Sequence, residues 1–157
     1  MKLWPVAELV PHAGNMVLLD EVLSCDTEAI EVRLVVRPDG LLSDADGNLP
    51  AWTGIELMAQ AIAAFAGIQA RRAGLPVELG FLLGTRKYAC NVEYFPAGSE
   101  LRIRALCSLQ DDNGMGVFEC HLQGPGIQAE ARLNVFRPPQ PAVYLQEPQE
   151  SQEQSHD

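Results

Sequence analysis

Residues 49–75, LPAWTGIELMAQAIAAFAGIQARRAGL, leave this chain few ways to fold. Apolar residues fall at Ile55, Met58, Ala59, Ile62, Ala66 and Ile68, close to the spacing of a helix. Ala or Gly at positions 54, 59, 61, 63, 64, 66 and 67 fill much of the remaining surface and let other backbone come close. A helix apolar on nearly every side has no face to give to water, so it is expected inside the protein. Pro50 and Thr53 signal its first turn. Arg71 and Arg72 stand where cations suit a helix end, and Gly74 followed by Pro76 stops it. One acid, Glu56, interrupts the apolar pattern near the start and requires an explanation.

The flanking segments alternate with the two-residue period of strands. The run MVLLDEVL, Met16 to Leu23, predicts a strand start broken by Asp20 and Glu21. Ile30, Val32, Leu34 and Val36 then form one buried face, ended by Pro38, Asp39 and Gly40. Residues 38–50 are rich in turn formers and lead into the helix. Beyond it, Leu79 to Leu83 predicts a short strand, residues 85–95 continue extended, and YFPAGSE supplies a turn. Leu101, Ile103, Ala105, Cys107 and Leu109 share a face. Asp111 to Gly116 suits a hairpin, and Phe118, Cys120 and Leu122 follow. Ile127, Ala129, Ala131, Leu133 and Val135 form the last buried face. Strands joined by tight turns are antiparallel, so one long helix against one antiparallel sheet gives an α+β layer architecture. Because the helix is apolar all round, the sheet is expected to curl about it, and its edges suit pairing with another subunit. The ordered domain is expected over 1–137, and residues 138–157, rich in Pro, Gln and Glu, as a flexible tail.

With 157 residues the chain fits a single domain. A net charge of −10 argues against nucleic acid, whose phosphates call for a basic face. Glu56 and Gln60 interrupt the apolar helix, so no membrane span is expected, and MKLWPVAELVPH lacks the features of a secretory signal. The cytoplasm is the expected location. Cys25, Cys90, Cys107 and Cys120 show neither CxxC pairing nor a His at zinc spacing; the last three lie in strand-like stretches and are expected as buried, reduced thiols.

Two residues are candidates for chemistry. Thr53-Gly54-Ile55-Glu56 has the form of a capping box, in which both side chains would satisfy amides at the helix start. Alternatively, a carboxyl beside apolar walls has a raised pKa and can donate a proton. His12, between Pro11 and Ala13-Gly14-Asn15, is either a solvated turn residue or a base, depending on what it faces. His121 points outward on a strand and His156 lies in the tail. Asp44-Ala45-Asp46-Gly47-Asn48 is not a calcium loop: a glycine would be needed at 49 and a Glu at 55, where Leu49 and Ile55 stand.

Three segments resemble the hot-dog-fold 3-hydroxyacyl dehydratases that act on acyl carrier protein. PHAGNMVLLDEVL, 11–23, is similar to their PHxxPxLLxDxV opening. LPAWTGIELMAQAIAAFAG, 49–67, is similar to their central helix, PGxLxxEAMAQ. GFLLGTRKYACNVEYFPAGSEL, 80–101, is similar to the strand pair that follows. The similarity extends from about Pro11 to Phe136 and is closest to the divergent dehydratase-like proteins of bacterial aryl polyene lipid pathways. It implies a hot-dog fold, a dimer with sites between subunits, and Glu56 as the acid that protonates or orients the leaving 3-hydroxyl. It further implies a thioester-binding amide around Ala51 or Trp52. Gly54, Ile55, Met58 and Gln60 would be further substrate-binding residues, and Ile55, Met58 and Ile62 would line a tunnel for the acyl chain.

The family's catalytic histidine, fourteen residues before the acid, falls here on Leu42. His12 could supply the base instead, or Asp44 or Asp46 could, or the chain does not dehydrate alone. The resemblance therefore implies dehydration of a 3-hydroxyacyl thioester to the trans-2-enoyl product, with no cofactor beyond the phosphopantetheine arm of the carrier protein. A hot-dog acyl thioesterase, or a non-catalytic partner subunit in a heterodimeric dehydratase, are the alternatives. Acyl carrier protein is the implied partner, with a homodimer or a heterodimer as the assembly. Carrier proteins are acidic, so this acidic chain would meet one through a local basic patch, with Arg71, Arg72, Arg86 and Lys87 as candidates, unless these only form a solvated charged face.

Overall fold

A computed structural model describes residues 4–10, 16–75 and 81–136. Two strands, β1 (Glu21–Cys25) and β2 (Ala29–Val35), precede the helix α1 (Gly54–Arg72), with the two-residue strand β3 (Leu49–Pro50) just before it. After it come β4 (Phe81–Cys90), β5 (Tyr94–Phe95), β6 (Glu100–Gln110), β7 (Met115–Gly124) and β8 (Ile127–Phe136). Six strands form one sheet in the order β1-β2-β6-β7-β8-β4, every neighbouring pair antiparallel, and β3 pairs with β5 apart from it.

Local chemistry sets the turns. The Asp26 carboxylate accepts the amides of Glu28 (2.7 Å) and Ala29 (2.8 Å) and closes the β1–β2 hairpin. These bonds hold its pKa below the ordinary value. Asp111 does the same at the β6–β7 hairpin, accepting from Asn113 and Met115, both at 2.9 Å. α1 ends in a Schellman motif: Leu75 N–H donates to Ala70 O (2.8 Å), Gly74 N–H to Arg71 O (3.1 Å), and Gly74 takes φ 73°.

The helix lies on the inner face of the sheet. Leu57, Met58, Ala61, Ala64 and Ile68 are fully buried against Ile30, Val32, Leu101, Ile103, Leu122 and Leu133. Phe65 meets Phe118 edge to face, centroids 5.6 Å apart. The outer face alternates charges across strands, as in Glu119–Arg132 (2.8 Å) and His121–Glu130 (3.8 Å). By length and composition, Ala51–Arg72 could cross a membrane, but it forms the core of this domain.

The structure corrects several sequence expectations. The helix does not begin at Leu49: Pro50 is extended (φ −56°, ψ 144°), and Ala51–Thr53 form a 3-10 turn before Gly54. The helix is not buried all round. Ile55, Glu56, Ala59, Ala63, Ala66 and Ala70 are half-buried along a stripe that continues from Trp52, which is 62% exposed. The first strand begins at Glu21, just after Asp20, whose carboxylate accepts the Val35 amide (2.7 Å) and Arg37 (2.9 Å). Leu109 is exposed, since the register shifts between Cys107 and Leu109. All four thiols are free, but only Cys25 and Cys120 are buried. The expected stop at Pro76, the start of the 79–83 strand and the 138–157 tail lie outside the described residues.

Two predictions follow from the packing. A Cβ at Gly67 would overlap the Leu9 carbonyl, so Leu9, which follows the 3-10 segment Val6–Glu8, lies directly on the helix. Gly67→Ala, although it favours helix formation locally, is expected to destabilise by about 1–3 kcal/mol in urea unfolding. Burial pushes the Cys120 thiol from 9.0 up to about 12. The unfolded thiol ionises first, so the contribution of this thiol to stability is level below pH 9 and is lost as pH rises toward 12. Urea midpoints at about pH 8 and about pH 10 should differ less in Cys120→Ala than in the parent.

Candidate functional site

The start of α1 gathers four elements. β3 delivers the chain to the 3-10 turn, β5 pairs with β3, the segment after residue 15 crosses the first helical turns, and edge strand β4 reaches over from the end of the sheet.

Gln60 ties one of them, residues 16–18, to the helix. Its side chain is fully buried, and its carbonyl accepts the Leu18 amide at 2.9 Å. Its NH2 donates to Met16 O at 2.7 Å and to Glu56 Oε1 at 3.2 Å. A backbone N–H must meet oxygen and a backbone carbonyl must meet nitrogen, so these partners fix the orientation of the amide. Gln60, expected among substrate-binding residues, is thus occupied in holding residues 16–18 and in orienting the acid one turn before it.

Glu56 is half-buried in the first turn of the helix. The expected capping box lacks its threonine half. Thr53 has helical dihedrals (φ −67°, ψ −15°) and makes no capping bond; its hydroxyl donates to Pro50 O at 2.6 Å instead. A box needs an extended cap residue, and the 3-10 turn has already wound Thr53 into the helix.

The backbone donors are also sorted. The first amides of a helical turn have no partner within it. Ala51 N–H donates to Glu93 O at 3.0 Å, which leaves the Trp52 amide as the first donor of the turn with no partner among the described residues. Tyr88, which the sequence reading missed, donates its hydroxyl hydrogen bond to Ala51 O. A Cβ on Gly54 would overlap that hydroxyl, so Gly54 makes room for Tyr88. Tyr88 reaches the turn from a bulge: the β4–β8 register shifts between Arg86 and Ala89, and Lys87 takes φ 57°. Burial, with Cys90 nearby, holds the Tyr88 hydroxyl above its ordinary pKa. The only sequence hint was that a half-buried tyrosine needs a partner for its hydroxyl.

The other expected residues separate. Met58 and Ile62 pack inside the core, and Ile55 lies on the half-buried stripe. His12 lies outside the described residues, four positions before Met16. Leu42 packs against the core. The Asp44 carboxylate accepts the amides of Asp46 and Asn48, each at 2.9 Å, and so locks the turn that carries it. Asp46 is exposed. The four expected cations divide into two pairs. Arg71 and Arg72 donate to Glu8 O and Cys25 O, both at 3.0 Å, at the far end of α1, roughly 22 Å from Glu56 at about 1.5 Å per residue. Arg86 and Lys87 are exposed on β4 beside Tyr88. Among the described residues, no three His, Cys, Asp or Glu side chains converge as metal ligands. A groove of about 520 Å³, lined among others by Asn91, His121, Gln123 and Glu130, lies over the strands and does not reach Glu56.

A family model for ApeP-like dehydratases matches residues 4–146. The chain belongs to the ApeP-like dehydratase family. This ApeP-like chain is similar to a chain of the dehydratase heterocomplex ApeI:P from Xenorhabdus doucetiae, with 34% identity over 92% of this chain and 97% of that one, and a TM-score of 0.83. More distant likenesses show the fold alone. A hypothetical thioesterase from Streptococcus pneumoniae, solved with coenzyme A, is 14% identical over 74% of this chain and 86% of its own, with a TM-score of 0.56. The E. coli PaaI protein is 17% identical over 74% and 82%, with a TM-score of 0.58. No protein with a curated description matches the sequence. The ApeP-like fold is the expected hot-dog: an antiparallel sheet packed on one long helix.

Gln60→Met keeps the volume but leaves the Leu18 amide and the Met16 carbonyl without their partner. A loss of about 2 kcal/mol or more is expected in urea unfolding, with faster hydrogen exchange at Leu18.

Proposed function

We propose that this chain dehydrates 3-hydroxyacyl thioesters carried on acyl carrier protein, as one half of a two-chain hot-dog dehydratase. One observation carries the proposal: a half-buried carboxyl, held by a buried glutamine, stands one helical turn from the uncommitted amide of Trp52. In the reaction, a base removes the proton at C2 and the thioester oxygen takes up the charge. The C3–O bond then breaks as Glu56 gives its proton, and the oxygen leaves as water. The helix-start amide suits the charged oxygen, because its donor is unspent and the helix dipole favours negative charge.

We assign the base to neither residue 42 nor the Asp44–Asp46 turn. Leu42 has no titratable group, and Asp44 is engaged in its own turn. His12, four positions before the Met16 that Gln60 binds, is our assignment within this chain. The likeness to a chain of ApeI:P supports a heterodimer with a second hot-dog dehydratase. The half-buried stripe on α1 and the edge of β4, unpaired among the described residues, give such a partner a surface to cover. We assign Arg86 and Lys87, exposed on β4, as the cations that meet an acidic carrier protein. The reaction takes place in the cytoplasm and uses no cofactor beyond the pantetheine arm.

The test is incubation of 3-hydroxyacyl and acyl carrier-protein thioesters with the chain alone and with an ApeI-type second subunit, followed by mass spectrometry of the products. Loss of water from the hydroxyacyl substrate is expected, and at least about 100-fold slower in Glu56→Gln. Release of free acid would make the chain a thioesterase. Unchanged dehydration in Glu56→Gln would show that another group is the acid.

A further inference from the structure

We infer that Tyr88 is a positioning residue for the amide that receives the thioester oxygen. This rests on the dehydratase reading above and assigns a role to a side chain on a different element from the helix.

The peptide between Ala51 and Trp52 is one rigid plane, with the Ala51 carbonyl at one end and the Trp52 N–H at the other. Tyr88 donates to that carbonyl. The N–H of the same peptide is then directed to the opposite side, away from Tyr88. The preceding peptide is fixed as well, since Ala51 N–H is bonded to Glu93 O at 3.0 Å. A hydrogen bond accepted at the carbonyl also polarises the peptide and strengthens its N–H as a donor. Gly54 N–H reaches the same carbonyl from within the turn, so the Tyr88 contact adds to the hold on this peptide and sharpens its amide.

Three features of the chain serve this one contact. Lys87 holds a left-handed conformation (φ 57°) at the β4 bulge, which turns Tyr88 toward the helix. Gly54 carries no side chain where the hydroxyl lies. Burial keeps the hydroxyl protonated, and so a donor, beyond the ordinary tyrosine range. Left-handed geometry is rare for a lysine, and its cost is met where a strand must re-aim a side chain.

The test uses Tyr88→Phe in the full chain, with whichever second subunit the dehydration assay requires. The ring and its packing stay, and only the hydroxyl goes. The expected result is a fall in kcat of about 10-fold or more with KM nearly unchanged, because the amide binds more tightly only as charge develops on the oxygen. In 15N-labelled protein the Trp52 amide should shift and exchange faster. Gly54→Ala, which crowds the hydroxyl, should lower kcat similarly, and the double variant should lose no more than either alone. An unchanged kcat in Tyr88→Phe, or losses that add in the double variant, would overturn the inference. Should the parent protein dehydrate nothing in any pairing, the dehydratase reading fails, and the Trp52 amide decides about Tyr88 by itself: a shift upholds its hold on that peptide, and no shift refutes it.

Discussion

Enclosing a 19-residue helix that has no polar face is the constraint on which the rest of this structure depends. A sheet can cover such a helix only by presenting a continuous apolar face, and β2, β6, β7 and β8 do so through alternating residues such as Val32, Ile103, Leu122 and Leu133. Burial of this kind contributes roughly 1.5–3 kcal/mol for each large apolar side chain removed from water. The surplus over chain entropy is small, so close approaches matter. At Gly67 the helix lies against the backbone of Leu9, with no room for a methyl group between them.

The same enclosure explains why the chemistry gathers at the helix start. Along the body of α1 the backbone is bonded to itself and most side chains are spent on packing. At its beginning the first amides lack helical partners, and the structure deals with them one at a time. Glu93 takes the amide of Ala51, Tyr88 bonds the carbonyl of the same residue, and among the described residues Trp52 N–H is left over. Glu56 follows one turn later, with Gln60 behind it binding both the acid and residues 16–18. A buried glutamine whose three bonds are all made within the chain stabilises an arrangement more than it recognises a ligand.

Most of the fold was legible because it rests on local patterns. Alternation located β2, β6, β7 and β8, and Gly74 marked the helix end that the Schellman motif confirms. Legibility failed where a partner distant in sequence decides the conformation. Pro50 is extended because Leu49–Pro50 pairs with Tyr94–Phe95, and that pairing turned an expected capping threonine into a helical one. Leu109 faces out because of a register shift that alternation alone does not reveal. Tyr88 had no signal beyond its residue type, since its target lies 37 positions away.

Residue types and spacing alone determined a buried helix with one acid, an antiparallel sheet to hold it, and the absence of a histidine at position 42. These follow from periodicity and composition, which act over a few residues. Only the tertiary structure decided which amide at the helix start stays uncommitted, which side chain orients Glu56, and that Asp44 is occupied in its own turn. The reason is physical: a hydrogen-bond partner is settled by which groups meet once the strands have closed on the helix, and no local pattern encodes that meeting.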